Sequence, residues 1–376
     1  MGFNTFVDAA PFSSQFFFNT ASLTDPYASN GLANPFPANY APRLPASDST
    51  FILPTAIYAV FQKDFHITLV TAWNLTVEQQ LGKNWLFRGA YVGNKGTFLY
   101  GTSDQKPLRE FNPAVYMPDA THDNTQQRRL YPQFSTVGFI SSSNNSHYNA
   151  LQTTVEKRMS HGLSILGNWT WARGIDDYGW SNPFNRHFDY GLSDDNIHHS
   201  FNLSSVWDLP KTGFTGAAGK VLNGWELTSI VSWRGGFPYS IVDSSDNSFS
   251  GVGRDRADLV GSSPNAAKLS SSRPHSQLVQ EWFNPAVFTD NAVGTFGNTG
   301  KNILRGPRFF QTDLGLMKTT QISERTSAQF RAEFFNAFNN VNFSRPHKDV
   351  TDPQIGQITG LDGKPRILQF ALKLSF

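Results

Sequence analysis

The sequence predicts an all-β fold: an antiparallel transmembrane β-barrel portion of about 9–10 strands, with long extracellular loops and short periplasmic turns. Three observations predict it. Apolar side chains alternate with polar ones, short connections alternate with long ones, and tryptophans recur on the apolar face at two levels. Alternation places every second side chain on the same face of a strand, and a tilted strand needs roughly 9–11 residues to cross a bilayer.

The clearest alternation is at the C-terminus, where Leu368, Phe370, Leu372, Leu374 and Phe376 share one face. The same pattern recurs along the chain and predicts nine strands of about 9–13 residues. The predicted strands are residues 70–81, 84–95, 147–159, 162–173, 197–208, 224–235, 308–319, 325–337 and 366–376.

The connections alternate in length as they do in outer-membrane barrels. Short turns are predicted at 82–84, at 160–162 and around 322–324, and a longer Gly-rich turn at 209–223. The remaining connections are long loops rich in Asn, Asp, Ser, Gly and Pro, at 96–146, 174–196, 236–307 and 338–365. The barrel strands are expected within 66–376. Residues 1–65 are expected to be mostly extracellular loop, after a possible partial strand at Met1–Ala10.

Six tryptophans support this arrangement, because indole rings favour the two interfaces of a bilayer. When the short turns are assigned to the periplasm, all six lie on the apolar face, in two girdles. The periplasmic girdle is Trp85, Trp207 and Trp225, and the outer girdle is Trp73, Trp171 and Trp233. The alternative is a soluble all-β protein in which Phe310, Phe330, Leu372 and their equivalents form an ordinary core.

Composition excludes other classes. The 376 residues include no cysteine and carry a formal net charge of +2, which argues against a nucleic-acid partner and removes disulfides and thiolate metal sites. Charged residues are 16% of the chain, against roughly 25% in typical soluble domains. The chain has no run of about 18 apolar residues and no N-terminal pattern of a signal peptide.

Several segments resemble the C-terminal half of the barrel of TonB-dependent outer-membrane receptors. The similar subgroup is the Oar-like one, whose members carry a carboxypeptidase-regulatory-like domain. The segments are WNLTVEQQLGKNWLFRGAYVGNKGTFLYG (73–101), SHYNALQTTVEKRMSHGLSILGNWTWARGIDD (146–177), DDNIHHSFNLSSVWDLP (194–210), LNGWELTSIVSWRGGFPYSI (222–241), NILRGPRFFQTDLGLMKTTQISERTSAQFRAEFFNAFNNVNF (302–343) and RILQFALKLSF (366–376).

The resemblance implies a barrel of 22 strands, an N-terminal plug, uptake of a scarce substrate, and energy supplied through TonB. The terminal Phe376 resembles the signal that the outer-membrane assembly machinery reads. This chain departs from the family pattern, since plug, coupling motif, regulatory-like domain and about half of the strands are missing from it. We therefore expect a fragment, with TonB as a partner only if the missing N-terminal part is present.

One polar cluster suggests catalysis. Asp194, Asp195, His198 and His199 lie at the outer mouth of the strand predicted at 197–208, and Asp176 and Asp177 lie across the loop, as in a site that activates water. Polar residues are the rule at the rim of a barrel, so we expect these groups to cap loops and face water. Adjacent histidines on a strand point to opposite faces, which argues against a shared metal ion.

Other polar and aromatic residues have equally ordinary explanations. The loop acids Asp243, Asp246, Asp255 and Asp258 lack EF-hand spacing and are expected to be solvated. The charged residues expected inside the barrel form either a substrate path or a hydrated, mutually paired lining; they are Arg88, Glu156, Arg158, Glu226, Arg234, Arg331 and Glu333. The loop aromatics either stack on glycan or pack the loops together; they are Phe16–Phe18, Tyr178 and Trp180.

We therefore predict the C-terminal barrel fragment of an outer-membrane receptor, located in the cell outer membrane, that binds a substrate and passes it through. The expected partners are outer-membrane lipid, the assembly machinery and a substrate that the sequence does not identify. We predict no enzymatic activity, no cofactor, and no catalytic, cofactor-binding or metal-binding residues. The alternatives are a surface-structural or adhesin-like barrel and a soluble carbohydrate-binding β-protein.

Overall fold

A computed structural model describes residues 54–100, 109–179, 181–261 and 263–376. The predicted partial strand at Met1–Ala10 and the aromatics Phe16–Phe18 and Trp180 lie outside the described residues. The described residues form two compact units. The larger consists of residues 67–99, 143–248 and 253–376, and the smaller of the described residues up to 66, from 100 to 142 and from 249 to 252.

All nine predicted strands are present in one large sheet. They are β1 (Leu69–Leu81), β2 (Trp85–Tyr100), β3 (Ser142–Ser160), β4 (Leu163–Asp176), β5 (His199–Asp208), β6 (Trp225–Arg234), β7 (Phe309–Gln321), β8 (Ser327–Phe335) and β9 (Ile367–Ser375). The largest differences concern the connection predicted at 96–146. It is shorter than predicted because β2 continues to Tyr100 and β3 begins at Ser142.

The nine long strands form a meander in which each strand neighbours the long strands that precede and follow it in the chain, and the short strand Gly191–Leu192 pairs with the end of β4. Strand β1 is antiparallel to β2, and all neighbouring pairs from β3 to β9 are antiparallel. Consecutive antiparallel strands can be joined by a short hairpin turn at one end of the sheet, and the connections at the other end are free to be long. The predicted alternation of short and long connections follows from this order.

The register keeps the apolar residues of neighbouring strands on one face. Near the long-loop end of the sheet, Trp169 pairs with Phe201, Phe201 with Trp233, and Trp233 with Phe310. Near the short-turn end, a second row joins Trp207, Leu227 and Leu316 on the same face. The two predicted levels of tryptophan therefore lie at opposite ends of the same apolar face.

This apolar face is exposed. In β9, the side chains of Leu368, Phe370, Leu372 and Leu374 are 49%, 61%, 69% and 50% exposed. The tryptophans Trp73, Trp85, Trp171 and Trp207 are 40–48% exposed. A soluble sheet protein would bury these side chains. Their exposure contradicts the alternative of a soluble β-protein with Phe310, Phe330 and Leu372 in its core.

The turn between β3 and β4 contains a glycine that the backbone conformation and the packing of the turn both require. His161 and Gly162 both have positive φ, at 52° and 75°, as a two-residue hairpin turn requires. A Cβ atom at Gly162 would lie 2.5 Å from the backbone oxygen of Asp208 on β5. Glycine at this position therefore allows both the turn and the close approach of the neighbouring strand.

The long connections contain short elements. The α-helices are α1 (Gly216–Leu222) and α2 (His275–Gln280), and the 3-10 helices are Arg186–Asp189, Pro264–Ala267 and Pro285–Val287. Short strands lie at Gly191–Leu192, Pro238–Tyr239, Val242–Asp243, Asp255–Arg256, Asp258–Leu259, Phe288–Thr289 and Leu304–Arg305. None of the helices in the described residues is long and apolar enough to cross a membrane.

The smaller unit contains a three-stranded sheet. Strand Thr55–Phe61 runs parallel to Phe134–Ile140, which is antiparallel to Arg109–Glu110. Asn112 is fully buried and its Nδ2 donates to the carbonyl oxygens of Tyr131, Phe134 and Ser135 at 2.9–3.0 Å. These hydrogen bonds hold the connection between strands Arg109–Glu110 and Phe134–Ile140 in place.

Candidate functional site

The long connections of the larger unit fold together into what we call the loop domain, made of residues 174–179, 181–198, 236–248, 253–261, 263–307 and 338–365. Its hydrophobic core is formed by buried side chains from the 236–307 connection: Tyr239, Ile241, Ala257, Ala267, Phe283, Val287, Phe288 and Leu304. Residues of the 338–365 connection, Val350 and Ile355, pack against that core. Backbone hydrogen bonds join the two connections, including Val350 N–H to Val242 O at 2.9 Å.

A buried ion pair joins the 174–198 connection to the 236–307 connection. Arg256 Nη2 lies 2.5 Å from Asp189 Oδ1, and the two side chains are 2% and 3% exposed. Arg256 also donates to the carbonyl oxygens of Phe188 and Thr299, at 2.6 Å and 3.0 Å, and lies over the Phe188 ring. These extra hydrogen bonds satisfy the guanidinium, which a buried ion pair requires if it is not to destabilise the fold.

The acids that suggested catalysis have structural partners. Asp176 pairs with Lys301, and Asp177 Oδ2 lies 2.9 Å from Arg186 Nη2. Asp194 Oδ1 accepts from Asn302 Nδ2 at 2.7 Å. Asp177 also accepts from the backbone N–H and Nδ2 of Asn145 on β3, at 2.6 Å and 3.1 Å. These contacts hold the connections to one another and to the end of the sheet.

The two histidines lie side by side, which differs from the expectation that they point to opposite faces. The ring centroids of His198 and His199 are 4.5 Å apart. The expectation was wrong because β5 begins at His199, so strand alternation does not apply to His198. The His198 ring is held by Trp171, whose Nε1 donates to Nε2 at 3.1 Å, and His199 stacks on Trp169.

The prediction of solvated loop acids is wrong for two of the four. Asp243 and Asp255 have no exposed surface, and they face each other as a cross-strand pair. Burial raises the pKa of Asp255 to about 6, against the hydrogen bonds from Ser248, and the carboxylate of Asp246 raises it further. The reason is tertiary, since the core of the loop domain encloses the short strands that carry both residues.

Tyr178 lies in the same domain and is partly buried, as expected for an aromatic that packs loops together. Its carbonyl oxygen accepts from Lys301 Nζ at 2.7 Å. Burial raises the pKa of the Tyr178 phenol, and the nearby carboxylates of Asp176 and Asp177 raise it further.

The charged residues that the sequence predicts inside the barrel lie on the face of the sheet opposite the tryptophans. Arg88 on β2 pairs with Glu78 on β1 at 2.8 Å, and Arg234 at the end of β6 pairs with Asp362 at 2.5 Å. Glu156 and Arg158 lie 3.8 Å apart on β3. Glu226, Arg331 and Glu333 lie on the same face by register. The pairs Arg88–Glu78, Glu156–Arg158 and Arg234–Asp362 fit the predicted paired lining.

Sequence reasoning missed Arg256, Asp189, Lys301 and Asn302. Arg256 and Asp189 are 67 residues apart, and Lys301 and Asp176 are 125 apart. No local pattern links such pairs, because the sequence period that marks a strand is absent from the connections. These pairs can be recognised only from the tertiary fold.

A family model described as an outer membrane beta barrel domain matches residues 1–369. This chain belongs to that family. The outer-membrane barrel assignment agrees with an exposed apolar face on a long antiparallel sheet and fixes the cell outer membrane as its location. The long loops are therefore extracellular and the short turns periplasmic.

Solved structures similar to this barrel chain include three outer-membrane proteins. They are the outer membrane transporter YddB from Escherichia coli (10% identity, TM-score 0.43, 85% of this chain and 34% of that one), the ferric-catecholate import receptor Fiu from Escherichia coli K12 (11%, 0.41, 84% and 28%) and BauA, the ferric preacinetobactin receptor from Acinetobacter baumannii (11%, 0.38, 82% and 29%). The chain spans about a third or less of their length. No curated protein sequence matches the chain.

Proposed function

We propose that this chain forms the C-terminal barrel portion of a TonB-dependent receptor of the Oar-like kind, which takes up a substrate across the outer membrane. The proposal rests on the segments that resemble this family and on membership of the outer-membrane barrel family. Binding and passage, without catalysis, are the proposed activities.

One observation carries the proposal that further strands complete the sheet. Among the described residues, β1 and β9 each have a single strand partner and stand at opposite ends of the strand order. All 13 residues of β1 and all nine of β9 are exposed. An unpaired edge inside a bilayer leaves backbone groups without hydrogen bonds, at a cost of several kcal/mol for each group. We infer that both edges pair with strands of the same receptor.

The proposed partners follow from this arrangement. Outer-membrane lipid covers the apolar face, and the assembly machinery recognises the C-terminal strand with Phe376, whose side chain is 92% exposed. The substrate enters past the loop domain and along the charged face of the sheet. TonB acts on the receptor through its N-terminal part.

The uptake proposal is tested by a nutrient screen. We would delete the gene for this chain and, separately, the gene for TonB, and measure growth on an array of scarce iron, carbohydrate and peptide sources. Uptake by this receptor predicts at least one nutrient that neither mutant uses and that both recover on complementation. If no growth defect is shared, the receptor function is wrong and the adhesin-like alternative gains support.

The proposal that further strands pair with both edges of the sheet is tested by cross-linking. The chain has no native cysteine, so an introduced cysteine is its only reactive thiol. Single cysteines at Leu75 on β1 and Leu372 on β9, both on the exposed edge strands, would each carry a thiol-reactive photocross-linker and should cross-link to strands outside the described sheet. Val231→Cys on the central strand β6 is the matched control and should cross-link only to β5 or β7. A cross-link from position 75 to β9, or from position 372 to β1, would instead show that the nine strands close on themselves.

A further inference from the structure

Two buried carboxylates in the loop domain face each other without a cation. Asp243 and Asp255 are a cross-strand pair between the short strands Val242–Asp243 and Asp255–Arg256, and both are 0% exposed. Like charges directly opposite each other destabilise a ladder, and a buried carboxylate is costly unless it is paired. No ion pair in the described residues involves either side chain.

Neutral donors surround the Asp243 carboxylate. Its Oδ1 accepts from the backbone N–H of Ser245 at 2.8 Å and from the hydroxyl of the same residue. Its Oδ2 accepts from the backbone N–H of Asn291 at 3.1 Å and from Asn247 Nδ2 at 3.4 Å. These donors suit an ionised carboxylate, but they do not neutralise its charge.

The hydrogen bonds of Asp255 are incomplete. Its Oδ2 accepts from Ser248 N–H at 2.7 Å and from Asn291 Nδ2 at 3.3 Å, whereas its Oδ1 is buried without a partner. Asn291 is 2% exposed, and its Oδ1 is also buried without a partner. The orientation of the Asn291 amide is fixed, because its Nδ2 also donates to Thr295 O at 2.6 Å. Two acceptor oxygens in the same cluster therefore lack a donor.

We propose that this cluster binds a divalent cation, with Ca²⁺ the best fit. Ca²⁺ takes oxygen ligands from carboxylates, amide side chains, backbone carbonyls and water in flexible geometry. Asp255 Oδ1 and Asn291 Oδ1 supply two such oxygens, and Asp243 supplies the second negative charge beside them. The described residues contain no cluster of three or more acidic or histidine side chains suited to a metal, so carbonyl and water oxygens complete the shell.

The proposal departs from the prediction, made from spacing, that the chain has no metal site. The EF-hand pattern, which brings ligand oxygens together within a single loop, is absent. Here, tertiary packing brings the oxygens together from separate segments. It places the 242–248 and 255–258 segments and Asn291 in one cluster. The extracellular location suits a weak site, since extracellular modules bind Ca²⁺ with dissociation constants of about 10⁻⁴–10⁻³ M.

The test is Ca²⁺ binding to the full chain, purified from outer membranes into detergent and depleted with EGTA. Equilibrium dialysis with radioactive Ca²⁺ would compare wild type, Asp255→Asn and Asp290→Asn. Asp290 is an exposed acid next to Asn291, so its variant removes the same charge outside the cluster. We expect Asp255→Asn to weaken binding about tenfold or more and Asp290→Asn to leave it unchanged. Equal binding by all three proteins, or none, would overturn the proposal.

A second measurement does not depend on how the variant folds. Hydrogen exchange of the wild-type amides of Ser248 and Asn291, which donate to the two carboxylates, should slow about tenfold or more when saturating Ca²⁺ is added. Exchange that is the same with Ca²⁺ and with EGTA would mean that a shared proton or buried water satisfies the pair, and the cation site would then be wrong.

Discussion

The strands and the loop domain place apolar side chains in opposite ways: on the surface of the strands and in the interior of the loop domain. Along the strands, large apolar side chains are exposed, as in β9, where Leu372 is 69% exposed. In the loop domain, Tyr239 and Phe283 are 2% exposed and the charged pair Arg256–Asp189 is buried beneath the surface. The two regions therefore fold in different solvents. In lipid, exposed apolar side chains are stable and every backbone polar group must be hydrogen-bonded within the protein. In water, apolar side chains are more stable when they are buried in a packed interior.

The largest expected effect comes from the buried ion pair. Arg256→Met should destabilise the loop domain by about 3–5 kcal/mol, because it leaves the Asp189 carboxylate buried and uncompensated. Hydrogen exchange of the Ala257 and Thr299 amides, which bond within the domain, would measure the change. Asp189→Leu combined with Arg256→Met should recover much of the loss. If the double variant is no more stable than Arg256→Met, the pair does not carry this stability.

The next effect tests whether one face of the strands is in contact with lipid. Val231→Arg on β6 should cost about 2–4 kcal/mol, because it places a charge on the lipid face near the middle of a strand. Ser232→Arg, one residue on and facing Asn202 and Gln311, is the matched control and should cost far less. Urea titration of the protein folded into lipid vesicles would measure both. Equal costs would mean that the two faces of β6 meet the same solvent.

A smaller effect concerns the periplasmic turn. Gly162→Ala should cost about 1–3 kcal/mol, because alanine is strained at a φ of 75° and its Cβ would contact Asp208 O. Gly213→Ala, in the turn between β5 and β6, has no atom within 4 Å of its Cβ and serves as the control. The same urea titration applies. A Gly162 variant as stable as the Gly213 variant would show that the turn tolerates rearrangement.

The sequence predicts these two regions unequally. Period-two alternation identified the nine long strands of the sheet, because a strand in contact with lipid on one face must repeat that contrast at every second residue. It missed the two-residue strand Gly191–Leu192, which pairs with the end of β4. The loop domain has no such constraint. Its core residues, such as Ile241 and Phe288, follow no period, and its ion pairs join residues far apart in the chain. The burial of Asp243 and Asp255 was missed for the same reason.

The smallest expected effect tests the electrostatics at the exposed edge of the loop domain. Hydrogen bonds from the backbone N–H of Gln354 and from His347 lower the pKa of Asp352. A carboxyl with a lowered folded pKa stabilises the fold above its unfolded pKa of about 3.9, and the contribution is lost as pH falls through the folded pKa. Asp352→Asn keeps an acceptor for Gln354 and removes the charge. Hydrogen exchange of the Ile355 and Gln357 amides should therefore be slightly faster in the variant at pH 5–7. The difference should begin to shrink below about pH 3.9 and should vanish only once the pH is below the lowered folded pKa, whereas a difference that persists in stronger acid would assign the effect to packing.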